Sequence, residues 1–281
     1  MTKYEDINAL NFSTLKHIAV SPAYLRYVMD NPEEKGDTDA YRRGRAIHCA
    51  TLEPERFERD FIVVPDFDQM ARDKYGSLRT KEAQQSRDTA RAEWESSANP
   101  EAEQITEENR ETALRCASAV LSHPKACDLL SGARFEQAVQ WIHPETGIHC
   151  KGRLDIVTDR IVDLKSTRHN TMREVARAAA QYDYHVQCAW YHDGAKTAGL
   201  IDGNKHPAMI VVHATPGSKF VDVAVLDMDL NPFTLDAGRR TYEKWINLYA
   251  GCLSANLWPG MCSGSEEWTV PQWKLEGVDN D

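Results

Sequence analysis

Four motifs that often identify an enzyme class are absent from the 281 residues of this sequence. There is no GxxxxGK[ST] phosphate loop, no GxGxxG dinucleotide fingerprint, no HExxH and no GxSxG. These patterns carry phosphate binding, dinucleotide binding, zinc-dependent hydrolysis and serine acyl transfer, respectively. Their absence argues against these enzyme classes, and we expect no nucleotide cofactor.

Long apolar runs are lacking as well. No segment approaches the roughly 18 apolar residues that a membrane helix needs. The N-terminal MTKYEDINALNF has neither the basic start nor the apolar stretch of a signal peptide. We therefore expect a cytoplasmic protein without a membrane partner.

Closely spaced cysteines are missing too. The chain has 7 cysteines, which are scattered, and no CxxC pair occurs among them. An odd and scattered set argues against a disulfide framework or a zinc knuckle, and an iron–sulfur cluster needs neighbouring thiolates. We therefore expect neither disulfides nor an iron–sulfur cluster.

Basic residues are outnumbered by acidic ones. The 33 Lys and Arg against 43 Asp and Glu give a formal net charge of −10. A protein that coats nucleic acid nonspecifically is normally basic, so this class is disfavoured. An enzyme that acts on nucleic acid remains open, because it needs only a local basic groove beside its metal-binding carboxylates.

Hydrophobic periodicity places helices toward both ends of the chain and strands in the middle. The pattern predicts helices at 41–53, 172–181, 184–198 and 234–253. It predicts strands within 57–65 and at 135–143, 148–157, 161–166, 208–215 and 219–226. Residues 66–112 are highly charged, which favours solvated helices. We therefore predict one α/β (α+β) domain over 1–281, with 66–112 as a charged helical insertion and 135–226 as the sheet core.

The candidate chemistry lies in KGRLDIVTDRIVDLKST, residues 151–167. If the turn is centred on Asp159, antiparallel pairing places Asp155 opposite Asp163. Period two then places Lys165 on the face of Asp163. Two facing carboxylates repel each other unless a divalent cation such as Mg²⁺ compensates them. A nearby lysine can hold a water, so the pattern indicates metal-assisted phosphodiester hydrolysis.

The same stretch also fits an exposed hairpin with a solvated Asp–Lys pair. A register shifted by one residue would move Asp155 to the other face. Neighbouring residues favour the chemical interpretation, because His48 in GRAIH can ligate a metal. Gln187 and Tyr191 share one helix face, and Glu136 begins the strand before the hairpin. Each of them alone is typical of an ordinary structural residue, so the combination carries the prediction.

In this order the motifs resemble the RecE-type (exonuclease VIII-like) nuclease domain, in the RecB-like branch of the PD-(D/E)xK nuclease superfamily. The segments that carry the resemblance are SPAYLRY at 21–27, GRAIHCATLEPERF at 44–57, ETGIHCKGRLD at 145–155 and YDYHVQCAWYHDG at 182–194. The resemblance covers roughly residues 10–275, least closely in the charged insertion. The scattered cysteines favour the RecE type over the iron–sulfur branch.

The resemblance implies a restriction-endonuclease-like core, in which a mixed central sheet is flanked by helices. It also implies a Mg²⁺-dependent exodeoxyribonuclease, with Mn²⁺ as a substitute. Such an enzyme degrades linear double-stranded DNA from 5′ to 3′ and leaves 3′ single-stranded tails for phage-type recombination. The implied partners are a single-strand annealing protein of the RecT type and further copies of the chain in a homo-oligomeric ring. The implied setting is the cytoplasm of a bacterium or of a phage-infected host cell.

By position, the resemblance also assigns roles to the candidate residues. Metal binding falls to His48, Asp155, Asp163 and the backbone carbonyl of Leu164. Lys165 would orient the attacking water. Gln187 and Tyr191 would support the site or contact the DNA backbone. Glu136 would be an additional acid.

Basic residues for a DNA path lie before the GRAIH motif and after the hairpin. Phosphate contacts need such side chains, although arginines on exposed helix faces often serve solubility alone. The candidates are Arg42, Arg43, Arg45, Arg168, Arg173 and Arg177.

Three alternatives remain open at the level of sequence. An endonuclease, or a nuclease acting on single-stranded ends, would use the same core site. A non-catalytic DNA-end-binding or assembly protein would carry a decayed site, and against it stands the intact set His48, Asp155, Asp163 and Lys165. A hydrolase of another substrate could also use a carboxylate pair, but the Asp-x-Lys pattern disfavours it.

Overall fold

A central mixed β-sheet with helices on both faces organises the chain. The structure is a computed structural model that describes residues 4–32, 38–262, 264–265 and 268–270. The predicted α/β (α+β) class, a mixed sheet flanked by helices, is confirmed. Among the described helices, not one combines the length and the apolar character that crossing a bilayer would require.

Two sheets account for the strands within the described ranges. The strands are β1 (Leu10–Asn11), β2 (Phe61–Val63), β3 (Glu103–Ile105), β4 (Arg134–Ile142), β5 (His149–Val157), β6 (Ile161–Thr167), β7 (Ala208–His213) and β8 (Val223–Asp227). The central sheet has the order β1-β5-β6-β7-β8, and β4 pairs with β5. The strands β2 and β3 form a separate parallel pair.

Helices cover both faces of the central sheet. They are α1 (Phe12–Leu15), α2 (Pro22–Asp30), α3 (Asp39–Leu52), α4 (Pro54–Asp60), α5 (Phe67–Tyr75), α6 (Lys81–Ser97), α7 (Glu107–Ser122), α8 (Pro124–Leu130), α9 (Met172–Gln181), α10 (Tyr184–Thr197) and α11 (Phe233–Ala255). Polar caps fix where several of them begin, since a side-chain oxygen satisfies a free N–H of the first turn. Thr38 accepts from Tyr41 N–H at the start of α3, and Thr106 accepts from Asn109 N–H at the start of α7.

Strand β5 borders three other strands. It pairs antiparallel with β4 along its length, and with β6 only through Ile156↔Val162 and Val157↔Ile161. Near its other end, Cys150 pairs in parallel with Leu10 of β1. Strands β6 and β1 pair with the same edge of β5, β6 near its C-terminal end and β1 near its N-terminal end. Because β6 separates from β5 after two residue pairs, a fork opens between β1 and β6.

Two apolar cores hold the sheet from its two faces. The first joins it to α1, α2, α10 and α11 and includes Leu15, Trp190 and Ile246. The second joins it to α3, α7 and α8 and includes Ile47 and Val120. Burial of apolar surface stabilises such layers by roughly 25 cal/mol per Å². Strands β5 and β6 contribute to both cores, so the backbone around the fork is held from both sides.

The predicted elements around the fork occur where the sequence places them. The strands predicted at 148–157 and 161–166 are β5 and β6, and α9 and α10 follow at the expected positions. The strand predicted to begin at Lys219 begins instead at Val223. The reason is local, because the Ser218 hydroxyl bonds to both the N–H and the carbonyl of Phe220 and keeps this segment out of the ladder.

The charged segment 66–112 contains α5, α6, β3 and the start of α7. Helices α5 and α6 pack on each other through Phe67 and Trp94, whose ring centres lie 6.1 Å apart. The sequence does not predict β3, which returns the chain to the fold by pairing with β2. The single domain and the insertion stay predictions. The sheet core itself extends beyond 135–226, because β1 joins it from the N-terminal part of the chain.

Candidate active site

At the fork, the backbone of Leu164 forms hydrogen bonds with side chains instead of with the backbone of β5. Its N–H donates to Asp155 Oδ2 at 2.9 Å, and its carbonyl accepts from His48 Nε2 at 2.5 Å. Backbone groups inside a sheet need such partners, because leaving them unpaired away from water is costly. The sheet backbone therefore fixes Asp155 and His48 in place.

A cleft of about 1390 Å³ opens at this fork. Residues of α3 line one side of it, and residues of α9, α10 and the turn between them line another. His48, Glu136, Asp155, Lys165 and Gln187 all line it. The cleft therefore collects predicted site residues from five different helices and strands.

The alternation of side chains between the two faces of the sheet is interrupted at facing positions of β4 and β5. Phe135 pairs with Ile156, and both pack in the second core, whereas Leu154 lies in the first core. Strict period two would put Leu154 and Ile156 on one face. Between these pairs, Glu136 has a left-handed backbone with φ 50°, which residues other than glycine rarely adopt. This interruption brings Glu136 and Asp155 into the cleft together.

Glu136, Asp155 and His48 form a cluster in which one potential ligand atom of each lies within 4.8 Å of the others. Burial and the neighbouring charge of Asp155 raise the pKa of Glu136 to about 7, against the opposing effect of His48. Two carboxylates this close are unfavourable when both are ionised. The cluster therefore favours either a proton on Glu136 or a bound cation.

The donor set of this cluster fits a divalent cation. Because a carbonyl only accepts, the contact with Leu164 places the imidazole proton on His48 Nε2. In the neutral imidazole Nδ1 then carries a lone pair, 3.8 Å from Asp155 Oδ2. Metal-bound histidines commonly donate their other N–H to a backbone carbonyl in this way. Two carboxylates and one imidazole suit Mg²⁺ or Mn²⁺, and the cation would offset the repulsion that raises the pKa of Glu136.

Strand β6 turns Asp163 and Lys165 to the face opposite Leu164, as period two predicts. Lys165 Nζ lies 2.8 Å from Asp163 Oδ2, and the Asp163 side chain is only 7% exposed. Burial raises the pKa of Asp163, although Lys165 opposes this effect. Burial alone would lower the pKa of Lys165, but the carboxylates of Asp163 and Asp155 outweigh it and raise that pKa above its usual value. Lys165 therefore keeps its proton at neutral pH.

Helix α10 supplies Gln187 and Tyr191, one turn apart. Gln187 Nε2 donates to Tyr191 Oη at 3.4 Å. The Tyr191 ring lies against the backbone of Gly152, where a Cβ would come within 3.0 Å of the ring. Burial raises the pKa of Tyr191, so its hydroxyl stays protonated. The pair links α10 to β5 beside the cluster.

The structure separates the six arginines of the predicted DNA path. The cleft is lined by Arg43, Arg45 and Arg168. Within the described residues, Arg42, Arg173 and Arg177 are not part of the cleft lining. Arg45 makes a two-point contact with the carboxylate of Glu103 at 2.8 and 2.6 Å. A phosphate that binds Arg45 would have to compete with this carboxylate.

The structure thus brings together His48, Glu136, Asp155, Leu164, Lys165 and Gln187. Asp163 is not one of the three residues in the candidate metal cluster of the described chain, and its carboxylate contacts Lys165. Its role as a metal ligand stays a prediction. Reasoning from sequence misses Tyr184, whose ring centre lies 5.3 Å from Lys165 Nζ. The sequence indicates this position only through spacing: Tyr184 precedes Gln187 by three positions, so the two share one side of the helix.

The raised pKa of Glu136 gives a testable effect on stability. In the unfolded chain a glutamate titrates near ~4.3, whereas in the folded protein Glu136 titrates at about 7. The folded state therefore binds more protons between these values, and stability falls as pH rises through this window. We expect Glu136→Gln, in the presence of a chelator, to stabilise the protein at pH 8 by on the order of 2 kcal/mol. The gain should vanish near pH 4.

Urea unfolding of both proteins at several pH values measures this difference. Glu145→Gln is the matched control, because Glu145 lies exposed in the turn between β4 and β5, and it should leave the pH dependence unchanged. Identical pH profiles for wild type and Glu136→Gln would contradict the raised pKa.

Comparison with known proteins identifies a family and structures of similar fold. The model of a family described as "PDDEXK-like domain of unknown function (DUF3799)" matches residues 11–269. A solved structure from Eubacterium rectale, described as a "Putative exonuclease", is similar with a TM-score of 0.53 at 11% identity, over 99% of each chain. A second structure, described as SSO0001, reaches a TM-score of only 0.27 at 15% identity, over 76% of this chain and 87% of that chain. No curated protein matches the sequence.

Proposed function

The chain belongs to the family of PDDEXK-like domains DUF3799, and we propose that it is a divalent-metal-dependent exonuclease that degrades linear double-stranded DNA from its 5′ ends. The resemblance to PD-(D/E)xK nucleases that the sequence motifs predict is confirmed by the family match. The E. rectale structure supports the shared fold. The 5′ direction, the metal dependence and the exonuclease specificity are supported by the RecE-type order of the motifs.

The observation that carries the proposal is the cluster of His48, Glu136 and Asp155 beside the Lys165 ammonium in one open cleft. These three side chains would hold the cation, which supplies a polarised phosphate and a more acidic water. The Leu164 carbonyl remains a further proposed ligand, and in the structure it accepts a hydrogen bond from His48 Nε2. Asp163 supports the site through Lys165.

Lys165 acts as a donor in this proposal. The carboxylates of Asp163 and Asp155 raise its pKa, which favours the ammonium form. Its ammonium donates to the attacking water or to a phosphate oxygen and stabilises the negative charge that develops on the phosphate. Asp163 holds the ammonium at this place, and Gln187 and Tyr191 fix the neighbouring wall. In this proposal, different residues bind the cation, stabilise the developing charge and position the site.

Two further parts of the proposal concern partners. The RecE-type order of the motifs supports action in phage-type recombination, in which a RecT-type annealing protein takes the 3′ tails. It also supports assembly of several copies into a ring around DNA. For these parts the support is the resemblance alone.

Digestion of end-labelled DNA tests the function directly. Linear duplex labelled at the 5′ or the 3′ end is incubated with Mg²⁺ or Mn²⁺, beside a closed circular control and a chelator control. We expect early release of the 5′ label, an intact circle and no reaction in the chelator. Cutting of the circle would indicate an endonuclease on the same scaffold. Binding to ends without cleavage in any divalent metal would favour a non-catalytic end-binding protein.

A further inference from the structure

Tyr182, in the turn between α9 and α10, lies next to Tyr184, the first residue of α10, beside Lys165. The ring centres of Tyr182 and Tyr184 are 5.8 Å apart, with 34° between their planes. Lys165 Nζ lies 5.3 Å from the centre of the Tyr184 ring. Both tyrosines line the same cleft as Lys165. The ring pair therefore begins at the ammonium and continues outward along the cleft.

Tyr182 is open to solvent although it lines the cleft. It is 55% exposed, whereas Tyr184 is half-buried against Lys165. An exposed aromatic ring beside a polar site offers a flat apolar surface to a ligand. The phosphates of a bound strand do not use such a surface, but the nucleobases do, because every base has a π face.

Hydrogen bonds anchor the backbone that carries these two rings. Asp183 between them has a left-handed backbone with φ 55°, and its carbonyl accepts from the N–H groups of Val186 and Gln187. Tyr182 N–H donates to Ala178 at the end of α9. A left-handed non-glycine residue costs free energy, and such residues often occur at binding sites. The backbone of the turn is thus anchored at the residues that carry Tyr182 and Tyr184.

We propose that Tyr182, supported by Tyr184, is a positioning residue that stacks on the nucleobase next to the scissile phosphate. This inference rests on the proposed function and deepens it. A base inside a duplex has both faces covered by its neighbours, so a protein ring can stack only on a base at an end or on one drawn out of the helix. The platform therefore selects for DNA ends and recognises any base sequence.

A protein–DNA mutant cycle tests this stacking. Wild type, Tyr182→Ala and Tyr182→Phe are compared on blunt duplexes whose 5′-terminal nucleotides are either normal or abasic. We expect the abasic end to lower kcat/KM of wild type about 10-fold, within the range that base stacking gives. Tyr182→Ala should show the same loss on normal ends and no further loss on abasic ends. Tyr182→Phe, which keeps the ring, should match wild type.

Tyr75→Ala is the matched control, because Tyr75 is an exposed tyrosine at the end of α5, outside this cleft. It should leave kcat/KM unchanged on both duplexes. The same cycle is measured as binding, by fluorescence anisotropy of the labelled duplexes in Ca²⁺, where cleavage is not required. Independent losses from the variant and the abasic end, in binding and in cleavage, would overturn the stacking proposal. Absence of cleavage by wild type, with coupled losses in binding, would instead reject only the proposed nuclease function.

Discussion

Replacing Lys165 with methionine is expected to lower the rate of DNA cleavage by about 10³-fold, the loss seen when one preorganised donor is removed from a charged transition state. Methionine keeps most of the length of the side chain and its packing against Tyr184. It removes the ammonium that Asp163 and Asp155 keep protonated. The His48–Glu136–Asp155 cluster keeps all its ligand atoms, so cation binding should persist. Cleavage and cation binding should therefore separate in this variant.

The variant also has an expected cost in stability. Asp163 is buried and loses its partner at 2.8 Å, which leaves an uncompensated charge worth roughly 3 kcal/mol. Burial already raises the pKa of Asp163, and Lys165 opposes that rise. Without Lys165 the folded pKa rises further, so the folded protein takes up a proton as pH falls. Lys165→Met should accordingly lose less stability at pH 5 than at pH 8, measured by urea unfolding.

Lys205→Met provides the matched control for this experiment. Lys205 also pairs with an aspartate, Asp159, but both side chains are more than half exposed. Exposed pairs contribute little to stability, and Lys205 does not line the cleft. Its rate should stay within about 2-fold of wild type. Near-normal cleavage by Lys165→Met would remove Lys165 from the catalytic machinery.

The position of the hairpin could be predicted from the sequence, because its turn residues and apolar alternation agree. The pairs Ile156↔Val162 and Val157↔Ile161 place the turn centre at Asp159, as predicted. Extended by one step, this register sets Asp155 opposite Asp163. The strands have already separated there, however, and Asp155 bonds to the backbone of Leu164 instead. Local patterns give the register of a hairpin but not the point where its strands part.

Long-range features of the site could not be predicted in the same way. Glu136 reaches the cluster because its backbone is left-handed and the alternation of β4 slips there. Nothing in FEQAVQWIH distinguishes this residue from a surface glutamate on a regular strand. The pairing of Leu10 with Cys150 joins residues far apart in sequence and forms one side of the fork. Such features depend on packing between distant segments, which periodicity within one segment does not encode.

Replacing Asp155 with asparagine is expected to abolish both cation binding and cleavage. Asp155 is the centre of the site, because its carboxylate belongs to the cluster with His48 and Glu136 and also accepts from Leu164 N–H. The amide oxygen of asparagine can still accept from Leu164, so the fork should keep its geometry. The substitution removes a negative charge and one ligand oxygen. The expected loss is therefore one of cation affinity rather than of folding.

Thermal unfolding with and without Mn²⁺ measures this loss independently of catalysis. A cation present at ~100 times its Kd stabilises the folded state by about 2.7 kcal/mol, which raises Tm by roughly 5 °C for a chain of this size. We expect this rise for wild type and for Lys165→Met, and no rise for Asp155→Asn. Asp159→Asn, in the exposed turn of the same hairpin, should respond like wild type. An equal Tm rise in Asp155→Asn would show that the cation binds elsewhere, and the cluster would then lose its role in the proposed chemistry.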